Sequence, residues 1–337
     1  MMKLTRRDWL ALTMGAGATL TFDPRVLLAQ GKMNTKAIPS TGERLPVIGL
    51  GSSATFASVA RSEDLTALRE VFKALVDGGA TVFDTAPGYG ASEEASGRIV
   101  NELKLADKLF WATKLNVAGR GGGGADPAAA RQQVETSFAR VKKAKVDLIQ
   151  VHNMGDVGVQ IPILREFKQQ GRIRYIGLTT TFENQYADLV ATMRKETLDF
   201  IGVDYAIDNR HAEATILPLA QERKMGVFAY APFGRTRLFK RVGDRPVPDF
   251  AKEFDATTWA QFFLKFVVSH PAITVTTPAT SQAKNMIDNI GGGLGRLPDA
   301  AMRKRMADYV DALPGACLLY TSPSPRDRTR SRMPSSA

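Results

Sequence analysis

The 337-residue sequence holds a single cysteine, Cys317, which excludes an internal disulfide and any metal site built from several thiolates. Histidine is scarce too, at three residues, and no metal is expected. No apolar run is long and pure enough to cross a bilayer, which takes roughly 20 residues, so no stable membrane insertion is expected. A block of basic residues is also missing. Of the formal net charge of +11, +2 falls in residues 1–30 and +3 in residues 317–337, which leaves +6 scattered over 31–316. A dispersed cationic surface does not track a phosphate backbone, so nucleic acid is not expected as a partner. What is present suffices for a large core: 44% of residues are hydrophobic and 23% charged, ordinary values for a globular chain.

The two ends differ from the body in composition. Residues 1–30 open with Thr5-Arg6-Arg7-Asp8-Trp9-Leu10, then a short, weakly apolar run rich in Gly and Thr. Twin arginines before a modest apolar run resemble a Tat export signal, with cleavage near Ala29. The expectation is a folded, periplasmic protein passed through the Tat machinery, or a cytoplasmic one if the signal is not used. Residues 317–337 are rich in Ser, Pro and Arg and carry no apolar periodicity, so they cannot offset their ordering entropy. This segment is read as a disordered, non-native tail. The body, 31–316, is read as one domain.

Within the body, short apolar runs alternate with helix-length amphipathic stretches. The runs are 47–51, 81–86, 109–115, 146–152, 174–179, 199–205, 227–232 and 273–279. Between them lie segments such as 63–79, 126–144, 163–171 and 211–226, several of which stop at glycine as helices often do. Continuous rather than alternating apolar strands imply burial on both faces, hence a parallel sheet covered by helices. Eight such units in ~240 residues predict an α/β fold of the (β/α)8 TIM-barrel type, with eight parallel strands. A doubly wound dinucleotide fold is disfavoured because GLGSSATF after the first strand is not a GxGxxG turn.

Active sites of such barrels sit at the C-terminal ends of the strands. Asp84 ends the second run, Lys114 the third and His152 the fourth, and Tyr89 follows Asp84 in a loop through Pro87 and Gly88. Each has a bland reading: Asp84 as the cap of the next helix, Lys114 as a solvated strand end, His152 as a core residue, Tyr89 as loop packing. Convergence of all four from consecutive units favours chemistry.

Asp84-Thr85-Ala86, Tyr89-Gly90-x-Ser92-Glu93 with Gly97, Ala112-Thr113-Lys114, and Val146-Asp147-Leu148 leading to His152 occur in an order that resembles the aldo-keto reductase superfamily. The likeness runs from about Gly42 to Asn289. It implies an NAD(P)H-dependent reductase of aldehydes or ketones, with Asp84, Tyr89, Lys114 and His152 as the catalytic tetrad. In that chemistry a carbonyl oxygen needs a proton and charge stabilisation as hydride reaches its carbon. A phenol can give the proton, an ammonium beside it stabilises the charge left behind, a carboxylate holds the ammonium, and an imidazole orients the carbonyl.

The resemblance also implies cofactor contacts. Tyr230 matches an aromatic that stacks on the nicotinamide, and Ala231-Pro232-Phe233-Gly234-Arg235 match a turn around the pyrophosphate. Thr280 stands where a Ser contacts the adenosine phosphate, and Asp288 and Asn289 match a pair near the adenine. Three positions depart from the family pattern. Thr179 and Thr180 replace a Ser-Asn pair, Gly202 replaces a Gln, and Ala279 and Asn285 stand where Lys and Arg often grip a 2′-phosphate, with Lys284 adjacent. NADP(H) is the expected cofactor and NAD(H) the alternative. Phe56, Asn153 and Met154 are candidate pocket residues for a small carbonyl substrate, while Trp111, inside a strand, is assigned to the core. Two other functions stay open: a Schiff-base lyase using Lys114, and a cofactor-binding redox sensor or assembly subunit with little turnover.

Overall fold

The computed structural model describes residues 31–118 and 124–314. The twin-arginine segment, most of the Gly121–Gly124 run and the Ser/Pro/Arg-rich tail lie outside the described residues. All eight expected strands are present: β3 (Gly49–Gly51), β4 (Val82–Asp84), β5 (Phe110–Leu115), β6 (Val146–Val151), β7 (Ile173–Thr180), β8 (Phe200–Asp204), β9 (Gly226–Tyr230) and β10 (Val275–Thr276). They pair in parallel in sequence order. Parallel bridges Ile48↔Thr276 and Gly51↔Ala279 join the first strand to the last and close the barrel. The fold is a (β/α)8 barrel.

Burial on both faces explains why these runs are continuous. Every residue of β5 is buried, half toward the barrel interior and half toward the helices. The interior cluster holds Val82, Phe110, Leu148, Tyr175, Phe200, Phe228 and Val275, one from each of seven strands. Aromatic pairs such as Phe110–Phe200 and Phe200–Phe228 fill it, so it is a packed core and not a pore. The helix Thr66–Asp77 shows the complementary pattern, burying Leu68, Val71, Phe72 and Leu75 at helical spacing against the outside of the barrel. Pro127 and the Asp126 side chain, which accepts from the Ala128 and Ala129 amides, start the helix Pro127–Val141.

One element goes beyond the sequence expectation. An antiparallel hairpin, β1 (Thr35–Ala37) and β2 (Arg44–Pro46), precedes the barrel. It inserts Ile38 and Leu45 into the interior cluster at the ends where the strands begin. The Tyr175 hydroxyl donates to Glu43 across 2.6 Å, tying the hairpin to the barrel floor. Strands of three residues are too short for periodicity to reveal them. The floor is sealed, so the open end is where the strands finish.

Candidate active site

Side chains alternate along a strand, and the interior cluster sets the phase. Val82 faces inward, so Asp84 does as well; Ala112 puts Lys114 inward, and Leu148 puts Gln150 inward. His152 follows β6 at once, in a short turn with Asn153 and Met154. The structure therefore brings the four tetrad residues together at the C-terminal mouth. Asp84 and Lys114 are 3% and 2% exposed, and the Lys114 ammonium donates to Asp84 Oδ2 at 2.7 Å and to the Thr85 carbonyl at 2.9 Å. Lys114 Nζ lies 5.1 Å from the centre of the Tyr89 ring. That ring stands edge-on to His152 with 5.8 Å between centroids.

The turn from Asp84 to Tyr89 is fixed by the residues after it. The Tyr89 amide donates to the Ala86 carbonyl, and the Ser92 amide donates to the Tyr89 carbonyl. The helix Ser92–Glu102 then starts without a side-chain cap, so Asp84 is not a helix cap. Ser92 Oγ donates to the Ser52 carbonyl at 2.8 Å. Glu93 is buried; it accepts from the Thr113 hydroxyl at 2.7 Å and pairs with Arg140 at 3.4 Å. A Cβ on Gly97 would lie 2.3 Å from the Arg140 carbonyl oxygen, because this helix touches the helix Pro127–Val141 backbone to backbone. The Ser-Glu-Gly half of the motif is packing that docks the helix and so holds the Tyr89 turn.

Electrostatics assign protonation states at the mouth. Burial pushes the Lys114 ammonium down, but Asp84 and Tyr89 outweigh it and the net direction is up; the lysine keeps its proton. Burial moves the Asp84 carboxyl up, against the pull of Lys114 and then of Tyr230. His152 is pushed down to about 3, first by burial and then by Lys114, so its imidazole is neutral near pH 7.

Cofactor positions meet varied surroundings. Thr179 Oγ1 accepts weakly from the Asn153 amide at 3.4 Å, and Thr180 Oγ1 donates to Gln185 at 2.5 Å. Tyr230 turns its hydroxyl into the mouth: it accepts from Gln150 at 2.9 Å and donates to Asp84 Oδ1 at 3.3 Å. Gly202, which shares the inward face of β8 with Phe200 and Asp204, lies directly beneath that ring. A Cβ there would sit 2.3 Å from Tyr230 Cε2, so the family's Gln and this placement of Tyr230 exclude each other.

The loop from Ala231 to Thr236 has left-handed backbone at Ala231, Gly234, Arg235 and Thr236. The Phe233, Arg235 and Thr236 amides have no acceptor among the described residues. Such a run of free N–H groups beside the Arg235 guanidinium, which reaches Thr181 at 3.0 Å, suits an anionic diphosphate. Asp204 Oδ1 and Gln150 Oε1 are also buried without partners among the described residues, as expected where a polar ligand belongs. Thr280 Oγ1 accepts from the Gln282 amide at the entry to the helix Ala283–Gly291, Lys284 is exposed on it, and Asn289 is buried. Asp288 Oδ1 accepts from Thr258 and Gln261, both at 2.8 Å, so this carboxylate also ties two helices together.

Of the pocket residues, Asn153 and Met154 stand at the rim with positive φ, next to His152. Phe56 requires a correction. It is fully buried against Phe72 and Phe83, wedged under the helix layer, and does not line the mouth. An aromatic shortly after a strand end can turn either way, and core burial decided it. Trp111 is core, stacked edge-on to Phe83. Gln150 escaped the sequence, although an amide two residues before His152 in an apolar strand was the available signal.

The Aldo/keto reductase family model matches residues 47–305. Among characterised relatives, the aldo-keto reductase YhdN of Bacillus subtilis is 28% identical over 214 residues, 61% of this chain and 64% of YhdN, just under two thirds of its length. L-galactose dehydrogenase of Arabidopsis thaliana is 28% identical over 217 residues, 60% of this chain and 66% of that protein. An aldo-keto reductase from Klebsiella pneumoniae, solved in complex with NADPH, superposes with a TM-score of 0.65 at 22% identity, covering 82% of this chain and 96% of that one. An aldo-keto reductase from Bacillus halodurans does so at 0.66 and 20% identity, with the same coverage. These superpositions show the fold, the family match spans most of the body, and the chain belongs to the aldo/keto reductase family.

Proposed function

We propose that the protein reduces an aldehyde or ketone to an alcohol with NADP(H), reversibly, at the mouth defined by Asp84, Tyr89, Lys114 and His152. The observation that carries this reading is the buried Lys114–Asp84 pair at 2.7 Å, set beside Tyr89 and His152. The reduced nicotinamide, when bound, supplies the hydride. Tyr89 gives its proton to the carbonyl oxygen, and the Lys114 ammonium stabilises the charge left on the phenol oxygen. Asp84 holds that ammonium in place. His152, neutral near pH 7, has no spare proton to give and orients the carbonyl with a ring N–H. The proton donor is therefore the phenol.

The charge state of Lys114 counts against the lyase alternative. A Schiff base needs a free amine, whereas here Asp84 keeps the lysine protonated. The redox-sensor reading, with little turnover, is separated by kinetics. Tyr89→Phe is expected to reduce turnover of an aldehyde by a factor of 10³ or so while NADPH still binds in a fluorescence titration. Equal kcat in the two proteins would sink the assignment.

NADP(H) is favoured over NAD(H) because Arg235 and Lys284 add positive charge along the expected cofactor path, and because the Klebsiella relative was solved with NADPH. Parallel titrations decide it, with tighter NADH binding the contrary result. The small carbonyl substrate approaches past Asn153 and Met154. The Thr5–Leu10 segment supports Tat-dependent delivery of the folded protein to the periplasm. Fractionation of cells carrying Arg6→Lys/Arg7→Lys tests this, and unchanged distribution refutes it.

A further inference from the structure

Asp84 makes two side-chain contacts through its two oxygens, and only one of them involves the tetrad. Oδ2 accepts from Lys114, and Oδ1 accepts from the Tyr230 hydroxyl at 3.3 Å. The phenol is itself fixed from behind by the Gln150 amide at 2.9 Å. Its ring also lies with its centre 5.2 Å from the Lys114 ammonium. This arrangement depends on a missing side chain. Gly202 pairs with Phe228, two register positions below the Asp204–Tyr230 pair, and any Cβ at 202 would meet Tyr230 Cε2 at 2.3 Å and Thr179 Cγ2 at 3.2 Å. The glycine removes an amide from the mouth and gives its space to a phenol.

We propose that Tyr230 is a positioning residue for the proton-transfer set, its hydroxyl locking Asp84 Oδ1 so that Oδ2 stays on Lys114, and that Gly202 is present to admit it. This rests on the reductase reading above for its catalytic meaning, but not for its geometry. A carboxylate held by one partner can rotate about its Cβ–Cγ bond; one held on both oxygens cannot. Lys114 is aimed by Asp84, so the direction of its remaining N–H toward Tyr89 depends on that lock. The chain Gln150–Tyr230–Asp84–Lys114 thus runs across the mouth from β6 to β9, to β4 and back to β5. The hydroxyl also favours the ionised carboxylate, against the burial that disfavours it. The titratable groups gathered around the pair are Lys114 on β5, Tyr89 in the loop after β4, His152 after β6 and Tyr230 on β9. His152 is neutral and Tyr230 is held well above its usual range, first by burial, so neither carries charge near pH 7, while Lys114 is held protonated beside Asp84.

The test follows the Asp84 carboxyl directly, by carbon-13 NMR of aspartate-labelled protein without added cofactor, with Asp84→Asn used to assign the resonance. Tyr230→Phe keeps the ring and removes only the donor. Gly202→Ala keeps the phenol and pushes it out of place. Both are expected to move the midpoint of the Asp84 titration up by about one pH unit, with native circular dichroism. Both are also expected to lower kcat about tenfold and shift its acid limb in the same direction, while Tyr230→Phe leaves the Kd for NADPH within about twofold. An Asp84 titration unchanged in Tyr230→Phe overturns the proposal, as does a midpoint moved by Tyr230→Phe but not by a folded Gly202→Ala. If the titration shifts but wild-type protein reduces no aldehyde or ketone, the reductase reading fails and the lock stands.

Discussion

Replacing Lys114 by Met removes one charge from a pair that is almost wholly buried and leaves the other behind. Met fills nearly the volume of the lysine stem, so the lost ammonium dominates. In wild type, Asp84 folds as an anion because Lys114 lies 2.7 Å away. In the variant, the carboxylate must either stay charged in a dry site or take up a proton. Protonation sets the ceiling on the penalty. An aspartate in the unfolded chain titrates near 3.9, so holding it neutral at pH 7 takes about 3 pH units at ~1.36 kcal/mol each, roughly 4 kcal/mol. Losing the hydrogen bond to the Thr85 carbonyl adds about 1 kcal/mol. The total is close to the ~3–5 kcal/mol that breaking a buried pair typically costs.

The sign with pH is diagnostic. Burial already raises the Asp84 pKa in wild type against the pull of Lys114, and without Lys114 it rises further, so the folded variant binds a proton that folded wild type does not and its relative stability rises as pH falls. The deficit relative to wild type should shrink as pH falls from 7, by up to about 1.4 kcal/mol per unit for as long as wild-type Asp84 stays ionised and Asp84 in the variant does not. Urea denaturation of both proteins at pH 5, 6 and 7 measures it, since shared groups cancel in the difference. The double variant Asp84→Asn/Lys114→Met should recover most of the loss and abolish its pH dependence without restoring turnover. A deficit that stays constant across this range, or a double variant as unstable as the single one, would refute the reasoning.

Gly97→Ala should destabilise the protein by about 1–3 kcal/mol although it touches no reacting group, because the new Cβ meets backbone atoms at 2.3 and 2.8 Å on the helix Pro127–Val141; an unchanged Tm contradicts the packing role given to this half of the motif. His152, pushed down to about 3 by burial and then by Lys114, should remain neutral when folded while the unfolded chain takes up a proton near pH 6.5. Stability is therefore expected to fall on acidification through that window, and His270, pushed down to about 4 by burial and then by Arg303, adds to the same slope. His152→Gln should flatten part of it, and a pH profile identical to wild type contradicts the neutral assignment.

Much of the fold was legible because its cause is local. Strands buried on both faces must be apolar throughout, and helices lying on them must be apolar along one side, so runs and stripes alternate visibly. Position at the C-terminal ends of these runs then marked Asp84, Lys114 and His152 for the barrel mouth. The hairpin 35–46 left no such trace, since two three-residue strands hold no period and its place was decided by a barrel end that needed a floor. Phe56 failed for a similar reason: one aromatic shortly after a strand says nothing about direction until Phe72 and Phe83 are beside it.

The sequence by itself determined the barrel, the residues at its mouth and the family. Those depend on residue type and order, which a chain carries without folding. Only the tertiary structure decided what those residues do to one another. Ser92, Glu93 and Gly97 became the docking surface of a helix, Asp288 a tie between helices, and Gly202 the opening that lets Tyr230 reach Asp84. Each of these depends on a distance between residues far apart in the chain, and such distances exist only once the strands have closed.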